Sequence, residues 1–344
     1  MGEKAIMNPE AKVTPSGTEN GYSKPARQGD KYLSTQLEFL QRLLTQPKAI
    51  IGLLIMAVFI LMAVFAPVIA PGDPSRFVAR PHQPPSGEHW LGTTGQGQDV
   101  LKQVVWGSRV SLFIGFTVGF LTTLIGLVVG MTSGYKPGAI DGVLNMFTNV
   151  FLLIPGLPLL ITLASFLPPG TVTVILVLTF TGWAWPARVF RSQVLSLREK
   201  DFVSASVVSG ESTPYIIFSE ILPNMLSLVV SSFFGSTAYA IAADAGLAYL
   251  GFEDVNTVSW GTMLFWASNN SALLQEAWWT FVPPGLCIAL VSFATTMLIY
   301  AMDEVTNPRL RSEKEIISVL KRFHITSKRS TPVVREPVTR STAP

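Results

Sequence analysis

The sequence predicts an all-α, polytopic membrane protein built on six transmembrane helices. Three observations predict it. Of the 344 residues, 49% are hydrophobic and only 14% charged, against about 25% charged in an ordinary soluble domain. The apolar residues gather in long unbroken blocks instead of short amphipathic stripes, so lipid is the solvent for most of the chain. Six blocks approach or exceed the roughly 20 residues needed to cross about 30 Å of hydrocarbon.

The blocks are Ala49–Ala70, Val110–Met131, Leu144–Leu167, Thr171–Ala187, Met225–Ala243 and Trp279–Met302, and none contains an acidic, basic or histidine side chain. Each is expected to be helical, because an unpaired backbone group in lipid costs several kcal/mol. The fourth is short and is expected to extend towards Phe190. Pro155, Pro158 and Pro186 fall inside spans and are expected to bend them. Gly115-x-x-x-Gly119 and Gly126-x-x-x-Gly130 in the second span let helices approach closely. Ser231, Ser232, Gly235 and Ser236 in the fifth are read in the same way, as signs of a packed bundle.

Orientation follows the lysines and arginines. A cytosolic N-terminus places Arg42, Lys48, Lys136, Arg188, Arg191, Arg198, Lys200, Arg309 and Arg311 inside, against Arg76, Arg80, Lys102 and Arg109 outside. Both termini are therefore expected in the cytosol. The first 47 residues are too long and polar for a signal peptide, so the first block is expected to be retained.

Several classes are excluded. Ion-coupled carriers keep ionisable groups at membrane depth, and the six blocks contain none; Asp244 only borders the fifth at its outer end. No G-x-x-x-x-G-K-[ST] loop offers a phosphate cradle. His82, His89 and His324 lack metal-ligand spacing, no nucleophile elbow occurs, and the basic residues do not interleave with aromatics as a nucleic-acid surface would. The lone Cys287 forms no intramolecular disulfide and reads as a packing residue. An energy source must then lie on another polypeptide.

The loop Phe190–Asn224 could receive it. Its punctuation is that of two short helices: Asp201 as N-cap, Phe202–Ser209 as about two turns, and Gly210 in the left-handed position that ends them. Thr213 caps a second helix with Pro214 at its first position; Pro223 stops it and Asn224 caps the fifth span. Ser204, Ala205 and Ser206 leave the first helix shallow enough to seat in a groove on another protein, or to lie as a plain connector on the membrane.

This loop resembles the EAA loop of ABC importer permeases. Ser204-Ala205-Ser206 stands where E-A-A belongs, Gly210 falls at the glycine, and Ile221, Leu222 and Pro223 close the motif, with Glu220 at the family's isoleucine position. Further stretches are similar to dipeptide/oligopeptide permeases, specifically the second, C-type subunit: His89-Trp90-Leu91-Gly92-Thr93, Gly97-Gln98-Asp99, Gly107-Ser108-Arg109-Val110-Ser111-Leu112, Ala245-Gly246-Leu247-Ala248-Tyr249-Leu250-Gly251-Phe252, Ser259-Trp260-Gly261 and Asn307-Pro308-Arg309-Leu310-Arg311. Gln98 replaces a usual arginine and Asn307 a usual aspartate.

The resemblance implies a type I ABC importer permease fold in the bacterial inner membrane, with the solute passing between this chain and a homologous second permease. Two ATP-binding subunits would dock on the cytosolic loops and carry ATP and Mg²⁺, so this chain needs no cofactor and is no enzyme. An extracellular or periplasmic binding protein would deliver the solute. Peptides are the implied cargo; relatives that carry oligosaccharides or nickel leave those open, and a stand-alone channel or carrier is the contrasting reading. The implied organisation is a cytosolic tail over 1–48 with an amphipathic helix at Gln36–Leu44, a permease domain over 49–311 with its coupling loop at 190–224, and a basic cytosolic tail over 312–344 suited to anionic lipid.

Overall fold

The computed structural model describes residues 45–306. The amphipathic Gln36–Leu44 stretch, the Asn307–Arg311 motif and the basic tail lie outside the described residues. Within them the structure is helical throughout, with only isolated bridges, Phe77 to Gln98 and Thr93 to Asp99, in the long loop after the first span.

Helix α1 runs Pro47–Val64 and is followed by a short α2, Ala66–Ile69. The first block is thus not one helix. Pro67 has no N–H to donate, and the chain breaks at Phe65. Helix α3, Val100–Tyr135, is far longer than its apolar block. Its N-terminus is fixed by Asp99, whose carboxylate accepts from the backbone N–H of Lys102 at 3.0 Å. At about 1.5 Å per residue it outruns the hydrocarbon, so the turns bearing Lys102 and Arg109 project into the loop layer.

The third block is broken. Helices α4, Ala139–Leu153, and α5, Gly156–Ser165, meet at 88° around Pro155. Helices α6, Thr171–Gly182, and α7, Ala184–Arg198, form one continuous span past Phe190. Glycines of α3 record the direction: a Cβ on Gly126 would meet Ala187, on Gly130 Phe190, and on Gly134 Val194. Contacts that advance together along both chains make α3 and α7 parallel. The α4–α5 pair between them must then carry the chain back across, which makes it one bent span and gives six among the described residues.

After the 190–224 loop, α11 runs Leu226–Tyr249 antiparallel to α3, with Gly115 against Ile241 and Gly119 against Thr237. The fifth span is therefore longer than its charge-free block, and Asp244 lies inside it, buried, instead of bordering it. Helix hydrogen bonding does not stop at an acidic side chain that the interior shelters. Helix α12, Trp260–Asn269, precedes a 3₁₀ turn at Trp278–Thr280, and α13, Val282–Thr306, completes the bundle. Pro283 and Pro284 occupy its first turn, where a missing N–H costs nothing, and this moves the start of the helix past Trp279. Lys48 of α1 and Glu304 of α13 pair at 3.4 Å, which puts the start of the first span and the end of the last at the same end of the bundle, in keeping with an even number of crossings.

Candidate functional site

At the end of the bundle shared by Lys48 and Glu304, the 190–224 loop forms a compact helical shelf. Helix α8 spans Asp201–Val208. Asp201 is not its N-cap: the amides of Val203 and Ser204 already bond the carbonyl of Lys200 at 3.0 and 3.2 Å, so Lys200 takes that position. Asp201 instead sits in the first turn, where its charge favours the helix dipole. The far end is as expected. Gly210 has φ +79°, its N–H bonds Val207 O at 3.0 Å, and the N–H of Glu211 reaches Ser206 O at 3.1 Å. This is a Schellman closure, which glycine adopts without the Cβ penalty.

The second helix departs from expectation. Ser212, not Thr213, holds its N-cap position, accepting from Ile216 N at 3.0 Å. Helix α9, Thr213–Tyr215, widens into a π turn over Ile216–Ile221, then returns to α10, Leu222–Asn224. Pro223 explains the widening: it has no N–H, and its ring would strike the carbonyl four residues back in a regular helix. Pro223 therefore bends the helix without stopping it. Asn224 does not cap the fifth span. Its side-chain amide turns back to Glu220 O at 2.7 Å, leaving Met225 before α11.

The shelf has two faces. Val203, Ile216, Ile221 and Met225 are buried with Met131, Phe190 and Val194, so the loop shares a core with α3 and α7. Outward stand Asp201, Ser204, Ala205 and Gly210, with Ser206 half-buried. Val207 and Val208 are 54% and 88% exposed. An open groove of about 430 Å³ runs between them and Tyr135, Pro137 and Arg198. Of the residues singled out by sequence, Ile221 and Leu222 anchor the shelf, whereas those on α8 are presented. The two valines were missed; a Val-Val pair before a helix-ending glycine was the available signal.

Beside the shelf, within the half of the bundle nearest it, lies a cavity of about 580 Å³. Ser231, Ser232, Ser236 and Tyr239 of α11 line it with Thr181 and Asp303. The small residues of the fifth span are thus not a packing seam. A Cβ on Gly235 would find its nearest neighbour, Ile299, at 3.8 Å, whereas one on Gly130 would lie 2.7 Å from the carbonyl oxygen of Ala187. Leu152, Trp185, Val189 and Ile299 supply apolar wall between these groups, with Asp303 at the mouth beside Glu304, so the cavity offers hydroxyls on an otherwise apolar surface.

The motifs at the opposite end form a lock. Trp260 is fully buried; its indole N–H donates to Val104 O at 3.1 Å and its backbone N–H to Ser111 Oγ at 3.1 Å. Gly107 lies against its ring, and Gly261 against Ala245 and Ala248. Ser259 caps α12 in a reciprocal box with Thr262. His89 Nδ1 meets Asp99 Oδ2 at 2.7 Å, and the Gln98 amide donates to Ser75 O at 3.0 Å.

Among the described residues, six spans, a presented loop helix and a cavity that sets hydroxyls among apolar side chains define a helical membrane transport subunit. Residues 126–312 match the family described as the binding-protein-dependent transport system inner membrane component, and residues 35–85 match the N-terminal TM domain of oligopeptide transport permease C. The chain belongs to this permease family. It is 33% identical over 284 residues to the oligopeptide transport system permease protein OppC of Bacillus subtilis, covering 82% of this chain and 92% of that one. It is 38% identical over 272 residues to the dipeptide transport system permease protein DppC of Escherichia coli, covering 76% and 89%. Among solved structures, the inward-facing methionine ABC transporter MetNI aligns with 59% of this chain and 97% of its own, at 20% identity and a TM-score of 0.48.

Proposed function

We propose that this chain is one of two homologous permease subunits in an ATP-driven importer of peptides, with both termini cytosolic in a bacterial inner membrane. Two ATP-binding subunits carry ATP and Mg²⁺ and dock on α8; a binding protein delivers the solute to the opposite face. Catalysis stays on the ATP-binding subunits. One observation carries the reading: α8 is exposed on its small-residue and valine side and buried through Val203 into the core shared with α7. A push on α8 therefore reaches the spans as a rigid-body displacement, the usual form of such transitions. The cavity beside Ser231 and Tyr239 then forms this subunit's half of the path. The peptide cargo rests on the named relatives.

The test is reconstitution in liposomes. Uptake of a labelled peptide that requires this chain, a second permease, the ATPases, the binding protein and ATP together supports the reading. Flux through this chain alone, without nucleotide, sinks it in favour of a channel or carrier.

A further inference from the structure

Two carboxylic acids are buried together at the end of the bundle away from the shelf. Asp244 is 1% exposed, on α11 among the buried Ala240, Ile241, Leu247 and Ala248. The chain then turns at Gly251, φ +83°, with the Phe252 N–H bonded to Leu247 O at 3.0 Å. This turn folds Glu253, also 1% exposed, back into the interior. Glu253 Oε2 accepts from the Ser259 hydroxyl at 2.9 Å. Its Oε1 and both carboxylate oxygens of Asp244 have no partner among the described residues.

The charges that act on this pair are all acidic. Glu253 acts on Asp244, and Asp254 acts on Glu253. Among the described residues no lysine, arginine or histidine pairs with either acid. A buried unpaired carboxylate costs several kcal/mol even after relaxation, and two adjacent ones cannot both stay ionised. Because this chain itself covers both groups, a docked subunit cannot supply the missing charge. The 190 Å³ cavity at this end is lined by Gln98 and Val255–Val258 and by neither acid, so it offers them no hydrated cation.

We propose that Asp244 and Glu253 form a proton-binding site, with the proton on Glu253 Oε1, and that its release frees the 251–259 turn from α11. Burial pushes the Glu253 carboxyl from its ordinary 4.5 up to about 7; the Ser259 hydroxyl opposes this and Asp254 adds to it. A carboxyl whose value is raised by folding binds more protons when folded. The turn is therefore most stable below pH 4.5, loses stability as pH climbs to about 7, and levels off above. The turn joins α11, which lines the cavity at its other end, to α12, so the site lies on the element that connects the outer loops to the path. The site needs neither a particular solute nor a partner subunit.

Hydrogen exchange of residues 251–259, in the full chain in lipid nanodiscs and corrected for intrinsic rates, tests this. Exchange should rise about tenfold or more between pH well below and well above 7, a factor that one unit of pKa displacement already supplies. Glu253→Gln, a neutral isostere, should keep the turn protected at both. If that variant does not fold, the wild-type infrared band of a protonated carboxyl that persists at about pH 6, where ordinary carboxyls are ionised, and is lost above 7 is the second readout. Exchange indifferent to pH, an unchanged pH response in Glu253→Gln, absence of the carboxyl band at about pH 6, or a transition driven by sodium at fixed pH would each overturn it.

Discussion

Arg191 grips Asp141 in a two-point fork, Nε to Oδ1 at 2.7 Å and Nη2 to Oδ2 at 2.8 Å, across fifty residues of sequence. Ser133 of α3 donates to the same carboxylate at 2.5 Å, so three helices are tied directly above the shelf. Removing the acid leaves a partly buried guanidinium without its acceptors. Asp141→Ala should cost about 1.5–3 kcal/mol, the range for hydrogen bonds to charged groups. Arg191→Lys keeps the charge and loses the fork, and should fall between. Thermal unfolding in detergent gives the order; equal stability of Arg191→Lys and wild type would show that charge alone suffices.

The lock around Trp260 makes a sharper distinction between volume and polarity. Trp260→Ala should cost about 3–5 kcal/mol through the cavity it leaves. Trp260→Phe retains most of the ring and its edge contact with Phe59, 5.6 Å between centroids, but loses the bond to Val104 O. A loss of about 1 kcal/mol is expected. Similar losses from both would mean that the indole bond, not packing, holds α12 to α3.

These two sites also show how far the sequence was legible. Gly107, Ser111, Trp260 and Gly261 belong to motifs visible in the chain, but only folding shows that they touch one another. Span number came through because six apolar blocks are long enough to need lipid. Span ends did not: the criterion of freedom from charge stopped the fifth at Ala243, while burial let the helix run on through Asp244. Small residues proved ambiguous for a physical reason. Gly130 is small to admit the backbone of α7, whereas Gly235 borders open space, and a one-dimensional spacing cannot separate these uses. The π turn before Pro223 was likewise hidden, since proline signals that a regular helix must yield but not how.

Gly210 separates backbone strain from docking. A Cβ there meets nothing within 4 Å, so this chain itself tolerates a side chain in space. Its φ of +79° still penalises most residues, by about 1–2 kcal/mol for a left-handed conformation. Gly210→Asn, which accepts that conformation, should keep uptake and co-purification with the ATPases. Gly210→Trp should reach the membrane folded but lose both. Coupling retained in Gly210→Trp would remove α8 from the docking surface.

Filling the cavity tests the path itself. Gly235 sits mid-helix with its nearest prospective neighbour at 3.8 Å, so Gly235→Leu enters open volume without displacing backbone. Losing a mid-helix glycine should also raise helix stability by about 0.5–1 kcal/mol. Three readings give three outcomes. A packing seam would yield misfolded protein, and a lipid-facing surface would leave transport unchanged. A solute path, the arrangement expected here, should give a stable subunit that still supports ATP hydrolysis by its partners while solute flux falls about tenfold, equivalent to about 1.4 kcal/mol on the rate-limiting barrier. Purification yield, ATPase rate and uptake, measured on the same preparation, decide among them.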